Sequence, residues 1–162
     1  MSAKDVVDAA IAKNVTLTTA ESCTGGMVSA AITEIAGASA IFERGFVTYS
    51  NDAKHELLDV TISSLSQYGA VSEQVAAEMA SGALNAARAD IAVSITGIAG
   101  PGGSEFKPEG RVCFAICTKN QQPVSQTVEF GAIGRSKVRK AAADHALMLF
   151  LNALRDSTNA HQ

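Results

Sequence analysis

Thr18-Thr19-Ala20-Glu21-Ser22-Cys23-Thr24-Gly25-Gly26, running on into Met27 to Ile35, is the stretch that decides how this chain folds. Before it, Val15 to Thr19 is rich in β-branched residues and bounded by Asn14, which predicts a strand. After it, Val28, Ala31, Ile32 and Ile35 recur at helical spacing. A strand that turns directly into a helix leaves backbone N–H groups unpaired at the helix start. With the helix dipole, those groups favour an anion or a developing oxyanion. The turn also carries a carboxylate, a thiol and two hydroxyls. Ser22 is therefore a candidate nucleophile, and Thr24, Gly25 and Gly26 are candidate hydroxyl or N–H donors. Glu21 reads either as a ligand-orienting group or as an ordinary helix-entry carboxylate, and Thr24 either as a donor or as an N-cap.

Working outward, Ser2 to Asn14 predicts an amphipathic helix, with Val6, Val7, Ala10 and Ile11 as its apolar stripe and Ser2 with Asp5 resembling a capping box. The helix after the Gly-rich turn should run from Met27 to about Ala36 and stop at Gly37. Gly45 to Ser50 reads as a second strand. Ser50-Asn51-Asp52 can cap a short helix from Ala53 to Leu58. Tyr49, Asn51 and Lys54 thereby cluster at a second strand-to-helix junction. Thr61 to Tyr68 reads as a short turn or helix, and Ser72 as the N-cap of an Ala-rich helix reaching about Arg88. Asp90 to Ile95 is the most strand-like run and should lie centrally in a sheet. It ends in Thr96-Gly97-Ile98-Ala99-Gly100-Pro101-Gly102-Gly103-Ser104, too glycine-rich for a minimal turn and suited to close approach by a ligand. Gly110 to Thr118 and Pro123 to Phe130 predict a hairpin, and Arg135 to about Arg155 a closing helix. Alternating strands and helices followed by a hairpin predict an α/β fold, a three-layer α/β/α sandwich with a mixed sheet.

At 162 residues, with 47% hydrophobic and 18% charged residues, the chain fits a single folded domain spanning 1–162, with a disordered tail from about residue 156. The net charge of −3 gives no electrostatic case for binding nucleic acid. No apolar run is long enough to cross a membrane, and no signal core opens the chain. Three cysteines, Cys23, Cys113 and Cys117, with no such signal, point to a reducing, cytoplasmic compartment. Cys113 and Cys117 should share one face of a strand as small buried hydrophobes. No His and Cys cluster has structural zinc spacing.

An unassisted serine hydroxyl is a poor nucleophile and needs a base. Of the three histidines, His161 lies in the tail, His145 falls on the apolar side of the last helix, and His55 could face either way. A Ser-His-Asp triad is therefore poorly served. Lys54 is the better candidate, because a partly desolvated lysine can be neutral and accept a proton, with Tyr49 relaying or orienting it. The plain alternative is a surface lysine. Cys23 is a weaker rival nucleophile, and Arg135 and Arg139 can hold a phosphate or carboxylate, or simply be solvated.

Taken together, Ala20 to Gly26, Tyr49-Ser50-Asn51 with Lys54, and Thr96 to Gly103 resemble the CinA C-terminal domain family in three ordered motifs. Gly69-Ala70-Val71-Ser72 and Gly110-Arg111-Val112 fit it too. Ala132-Ile133-Gly134, before the arginines, departs from it in lacking an acidic residue. The resemblance implies a nicotinamide-nucleotide amidase. Such an enzyme converts nicotinamide mononucleotide (NMN) to nicotinic acid mononucleotide and ammonia in pyridine-nucleotide recycling, without a metal or cofactor. It assigns Ser22 as nucleophile, Lys54 as base and Tyr49 as its assistant. It assigns Glu21, Thr24, Gly25, Gly26, Asn51, Thr96, Gly97, Gly100, Gly102, Arg135 and Arg139 to the substrate or its oxyanion. Larger relatives carry a further N-terminal domain similar to molybdopterin-binding proteins, whose activity is not expected here. A homo-oligomer is expected. The alternatives are a non-catalytic nucleotide-binding module of a competence or DNA-damage assembly, and hydrolysis of another amide-bearing metabolite.

Overall fold

The computed structural model describes residues 3–104 and 106–159. Its elements in chain order are α1 (Ala3–Lys13), β1 (Leu17–Glu21), α2 (Met27–Thr33), β2 (Phe46–Val47), α3 (Asn51–Leu58), α4 (Ile62–Tyr68), α5 (Glu73–Ala87), β3 (Ile91–Gly97), β4 (Arg111–Thr118), β5 (Val124–Glu129) and α6 (Arg135–Asn159). A short 3-10 turn, Ala38–Ala40, follows α2. The sheet order is β2-β1-β3-β4-β5. β1 pairs in parallel with both β2 and β3, whereas β3-β4 and β4-β5 are antiparallel. The expected mixed sheet and three layers are present.

Strand alternation assigns the two faces. Ile91, Val93 and Ile95 of β3, with Val112 and Phe114 of β4, pack in one core with Val6, Ile32, Val138 and Phe150 from α1, α2 and α6. Ala92 of β3, with Cys113, Ala115 and Cys117 of β4, packs in the other core with Ala76, Met79, Ala80 and Ala83 of α5. Bulky side chains thus fill one interface and small ones the other, which lets α5 lie close to the sheet. Ser94 uses that proximity, donating from Oγ to the α5 carbonyl of Ala76 at 2.6 Å. Cys113 and Cys117 share that face and are free thiols.

Several boundaries differ from the sequence reading. β1 extends to Glu21 instead of ending at Thr19, because pairing with strands on both sides carries Ala20 and Glu21 into the ladder despite their modest β preference. The second strand is only Phe46–Val47. After one last ladder bond, Thr48 N–H to the Glu21 carbonyl at 2.9 Å, the chain leaves the sheet. Ser50 then caps α3, accepting from Ala53 N–H at 3.0 Å, and the helix begins at Asn51. Thr61 and Ser72 cap α4 and α5 in the same way. α6 runs to Asn159, beyond the end expected at about Arg155. Ser2 of the expected capping box, and His161, lie outside the described residues. Among the described residues no helix is long and apolar enough to cross a membrane.

α3 reaches the sheet through α5. At their crossing, a Cβ placed on Gly82 would collide with the backbone carbonyl of Leu58, the last residue of α3. Helix propensity alone would make Gly82→Ala stabilising by about 1 kcal/mol. The collision is with backbone, which cannot rotate away, and overpacking of this kind costs about 1–3 kcal/mol or more. Gly82→Ala should therefore lower stability in chemical denaturation. An increase would show that α3 and α5 do not meet this closely.

Candidate active site

The parallel strands β2, β1 and β3 all end on one edge of the sheet, and ligands in open α/β sheets sit outside such carboxyl ends. A cavity of about 380 Å³ lies there. Ser22 follows β1, Tyr49 and Lys54 follow β2, Thr96 and Gly97 close β3, and Arg135 opens α6 at the same place.

The centre is a pair. Lys54 Nζ lies 2.9 Å from Ser22 Oγ and donates to the Thr48 carbonyl at 2.9 Å. Lys54 is 1% exposed and Ser22 7%. Burial lowers the Lys54 pKa to about 8, opposed by the nearby Cys23 thiol in its charged form. A substantial neutral fraction therefore exists near pH 8, and the 2.9 Å contact then runs in reverse, with the Ser22 hydroxyl donating to the amine. Burial pushes the Cys23 thiol up to about 11, outweighing its own backbone N–H, Arg139 and Lys54, so Cys23 stays neutral at physiological pH. Cys23 lines the cavity. A backbone N–H outside the sheet and helix ladders, immediately after a serine at a strand-to-helix turn, is suited to stabilising an oxyanion.

The two described histidines, His55 and His145, make their contacts elsewhere. His55 Nδ1 is 2.8 Å from the Val60 carbonyl. His145 packs against Phe114, with ring centroids 4.4 Å apart, and its Nε2 is 3.1 Å from Gln126 Oε1. Burial lowers the pKa of His145. It is a core-facing histidine, as its position in the helix suggested.

Of the expected site residues, Ser22, Tyr49, Asn51, Lys54, Thr96, Gly97, Gly100, Gly102 and Arg135 line the cavity. Their roles are not all as expected. Tyr49 is 62% exposed, and its hydroxyl accepts from Arg135 Nη2 at 2.9 Å instead of reaching Lys54 or Ser22. The other Arg135 nitrogen, Nη1, donates to the Gly100 carbonyl at 2.7 Å, bridging the Gly-rich loop and the Tyr49 junction. The Thr96 hydroxyl donates to the Ala70 carbonyl at 2.8 Å, so it holds the cavity wall.

Glu21, Thr24, Gly25, Gly26 and Arg139 stand behind the cavity and build the turn. The Glu21 carboxylate is fully buried and accepts four hydrogen bonds: Thr24 Oγ1 at 2.7 Å, Val28 N–H at 2.9 Å, Ser29 N–H at 3.0 Å and Ser29 Oγ at 2.8 Å. It caps α2 and has no free lone pair directed at a ligand. The Thr24 hydroxyl is spent on that carboxylate. Gly25 and Gly26 take φ of 59° and 108°, the left-handed region the tight entry requires. Arg139 Nε donates to the Cys23 carbonyl at 3.0 Å and Nη2 approaches the Thr24 carbonyl at 3.4 Å, fastening the turn to α6. The wall at Ala70 and Val71 was missed as cavity lining, because nothing in those small apolar residues signals a site.

These features define a serine hydroxyl set against a buried lysine in an α/β domain. The chain belongs to the CinA C-terminal domain family, whose profile matches residues 1–154. It is 57% identical over 137 residues to the nicotinamide-nucleotide amidohydrolase PncC of Escherichia coli, covering 84% of this chain and 82% of that one. The PncC of Enterobacter agglomerans is 56% identical over 141 residues, 86% and 85% of the two chains. The crystal structure of the competence/damage inducible protein CihA from Agrobacterium tumefaciens matches with a TM-score of 0.90 at 46% identity, over 94% of this chain and 93% of that one.

If Lys54 activates Ser22, covalent labelling of Ser22 by a sulfonyl fluoride should accelerate as pH rises through about 8, where Lys54 loses its proton. Mass spectrometry should show that this rise disappears in Lys54→Met. The same group sets a stability trend. The unfolded chain keeps the Lys54 proton up to the ordinary 10.5, whereas the folded chain releases it at about 8. Between those values the unfolded state binds more protons, so stability contributed through Lys54 rises with pH there. Denaturation curves for wild type and Lys54→Met should diverge in that direction across the window.

Proposed function

We propose that this protein is a nicotinamide-nucleotide amidase that hydrolyses the carboxamide of NMN to nicotinic acid mononucleotide and ammonia. The observation that carries the reading is the 2.9 Å contact between Ser22 Oγ and a lysine whose burial prepares it to give up its proton. The similarity to PncC supports the substrate.

Ser22 Oγ attacks the carboxamide carbon while its proton passes to Lys54 Nζ. The tetrahedral oxyanion is held by the Cys23 N–H. As the intermediate collapses, Lys54 returns the proton to the departing nitrogen, ammonia leaves, and an acyl-Ser22 ester remains. Water then attacks that ester, giving one proton to Lys54, which passes it to Ser22 Oγ as the acyl bond breaks; the acid product ionises to the carboxylate and its proton leaves to solvent. Arg135 and the backbone N–H groups of the Gly100 to Gly103 segment lie in the same cavity, where they suit the 5′-phosphate. Arg135 would exchange its contacts with Tyr49 and Gly100 for that anion. Tyr49 acts through Arg135, and Asn51 lines the substrate side of the α3 entry.

An ammonia-coupled assay on NMN tests the reading. Wild type should release ammonia, with the rate unaffected by a chelator. Ser22→Ala and Lys54→Met should each lower kcat by about a thousandfold or more while retaining NMN binding. Binding without ammonia release by the wild type would favour a non-catalytic nucleotide-binding module. Normal turnover by Ser22→Ala would remove Ser22 as nucleophile. Release from other amides with a higher kcat/KM would reassign the substrate.

A further inference from the structure

The cavity is bordered on one side by the Gly100 to Ser104 loop and on another by Ala70 and Val71, in the connection between α4 and α5. These segments are far apart in sequence and belong to no common strand or helix. One side chain joins them. Lys107 Nζ donates to the Tyr68 carbonyl at 2.7 Å and to the Val71 carbonyl at 2.6 Å. Lys107 is itself fixed to the loop, for Lys107 N–H donates to the Ser104 carbonyl at 2.8 Å and Ser104 N–H to the Lys107 carbonyl at 3.0 Å. Ser104 lines the cavity, so this pair of bonds ties Lys107 to the cavity wall.

We infer that Lys107 is a positioning residue for substrate binding, acting through its ammonium to hold the Ala70–Val71 wall in register with the Gly100 to Ser104 loop. An ammonium donating to two neutral carbonyls makes two charge-assisted bonds, the stronger kind. The Tyr68 carbonyl also lies at the end of α4, where a cation is favoured. The wall is also tied to the sheet, by the Thr96 hydroxyl donating to the Ala70 carbonyl at 2.8 Å. Ser72 Oγ to the Gly69 carbonyl at 2.8 Å stiffens it internally and does not tie it to the loop.

The reacting pair is anchored independently. Ser22 N–H donates to the Ile95 carbonyl of β3 at 2.9 Å, and Lys54 is held by the Thr48 carbonyl. Losing the Lys107 tether should therefore weaken contacts made equally in the ground and transition states, which raises KM and leaves kcat largely intact.

The inference rests on the amidase reading, and the test separates the two. Lys107→Met should raise KM for NMN by about tenfold or more, with kcat changed by less than about threefold. The pH midpoint of kcat/KM should stay where the wild type has it, since Lys54 is untouched. Lys107→Arg keeps the charge and the donors, and should return KM to within about threefold of wild type. An unchanged KM in Lys107→Met, a loss confined to kcat, or a Lys107→Arg variant as impaired as Lys107→Met would overturn the inference. So would failure of Lys107→Met to fold, since the role would then be structural. If the wild type releases no ammonia, the amidase reading falls, and Lys107 is judged by calorimetric titration with NMN. A weakening of about tenfold in Lys107→Met then upholds it, and equal affinity overturns it. A wild type that binds no NMN overturns both.

Discussion

Parallel pairing of β2 and β3 on either side of β1 is the constraint from which the site follows. Three strands running the same way must finish on the same edge. The three segments that leave them, after Glu21, after Val47 and after Gly97, are thereby delivered to one place although they are separated in sequence. β4 and β5 run antiparallel to this set or to each other and contribute no catalytic side chain. Their service is to bury Val112 and Phe114 against α6, whose first turn brings Arg135 back to the same edge. The fold thus separates a functional parallel half from an antiparallel half that carries packing.

Within that frame the costly element is Lys54. Taking an ammonium out of water is unfavourable, and among the described residues no carboxylate compensates it; its partners there are one hydroxyl and one carbonyl. The protein therefore holds a lysine that parts easily with its proton, and a rigid scaffold must keep it there. α3 does this from a short helix capped by Ser50 and pressed onto α5 at Leu58 and Gly82. Without that close crossing, eight residues of helix would be too marginal to hold a desolvated lysine against Ser22.

Much of this was legible in the sequence, for identifiable reasons. Ser50 and Ser72 are strong N-caps placed before helical patterns, and both cap as read, whereas the Thr61 cap of α4 was not read. Ser22 and Lys54 were legible because a histidine partner for the serine was poorly supported and the family resemblance pointed to the lysine, and the structure brings the two within hydrogen-bond distance. The partnership of Tyr49 with Arg135 was not legible, since it depends on how α6 docks and no local pattern encodes that. Arg139 was read as an anion ligand because its chemistry is generic; only the tertiary placement shows it spent on backbone carbonyls. The Ala70–Val71 wall carries no chemical signature at all.

Glu21 shows how a small boundary difference changes a functional assignment. With the strand ending at Thr19, Glu21 falls in the turn beside Ser22 and looks free to meet substrate. With the strand ending at Glu21, the pleat decides instead, because successive side chains point to opposite faces. Thr19 and Glu21 face α2, where Thr19 Oγ1 lies 2.7 Å from Ser29 Oγ and Glu21 accepts from Val28 and Ser29. Ala20 packs in the opposite core with Leu58, and Ser22 meets Lys54 on that side. β1 therefore turns the Glu21 carboxylate and the Ser22–Lys54 pair toward opposite faces of the sheet. A carboxylate on the Ser22 side would instead have favoured the protonated form of Lys54. The alternation of one strand, continued two residues further than its composition suggests, lets an anion organise the helix entry without quenching the lysine next to it.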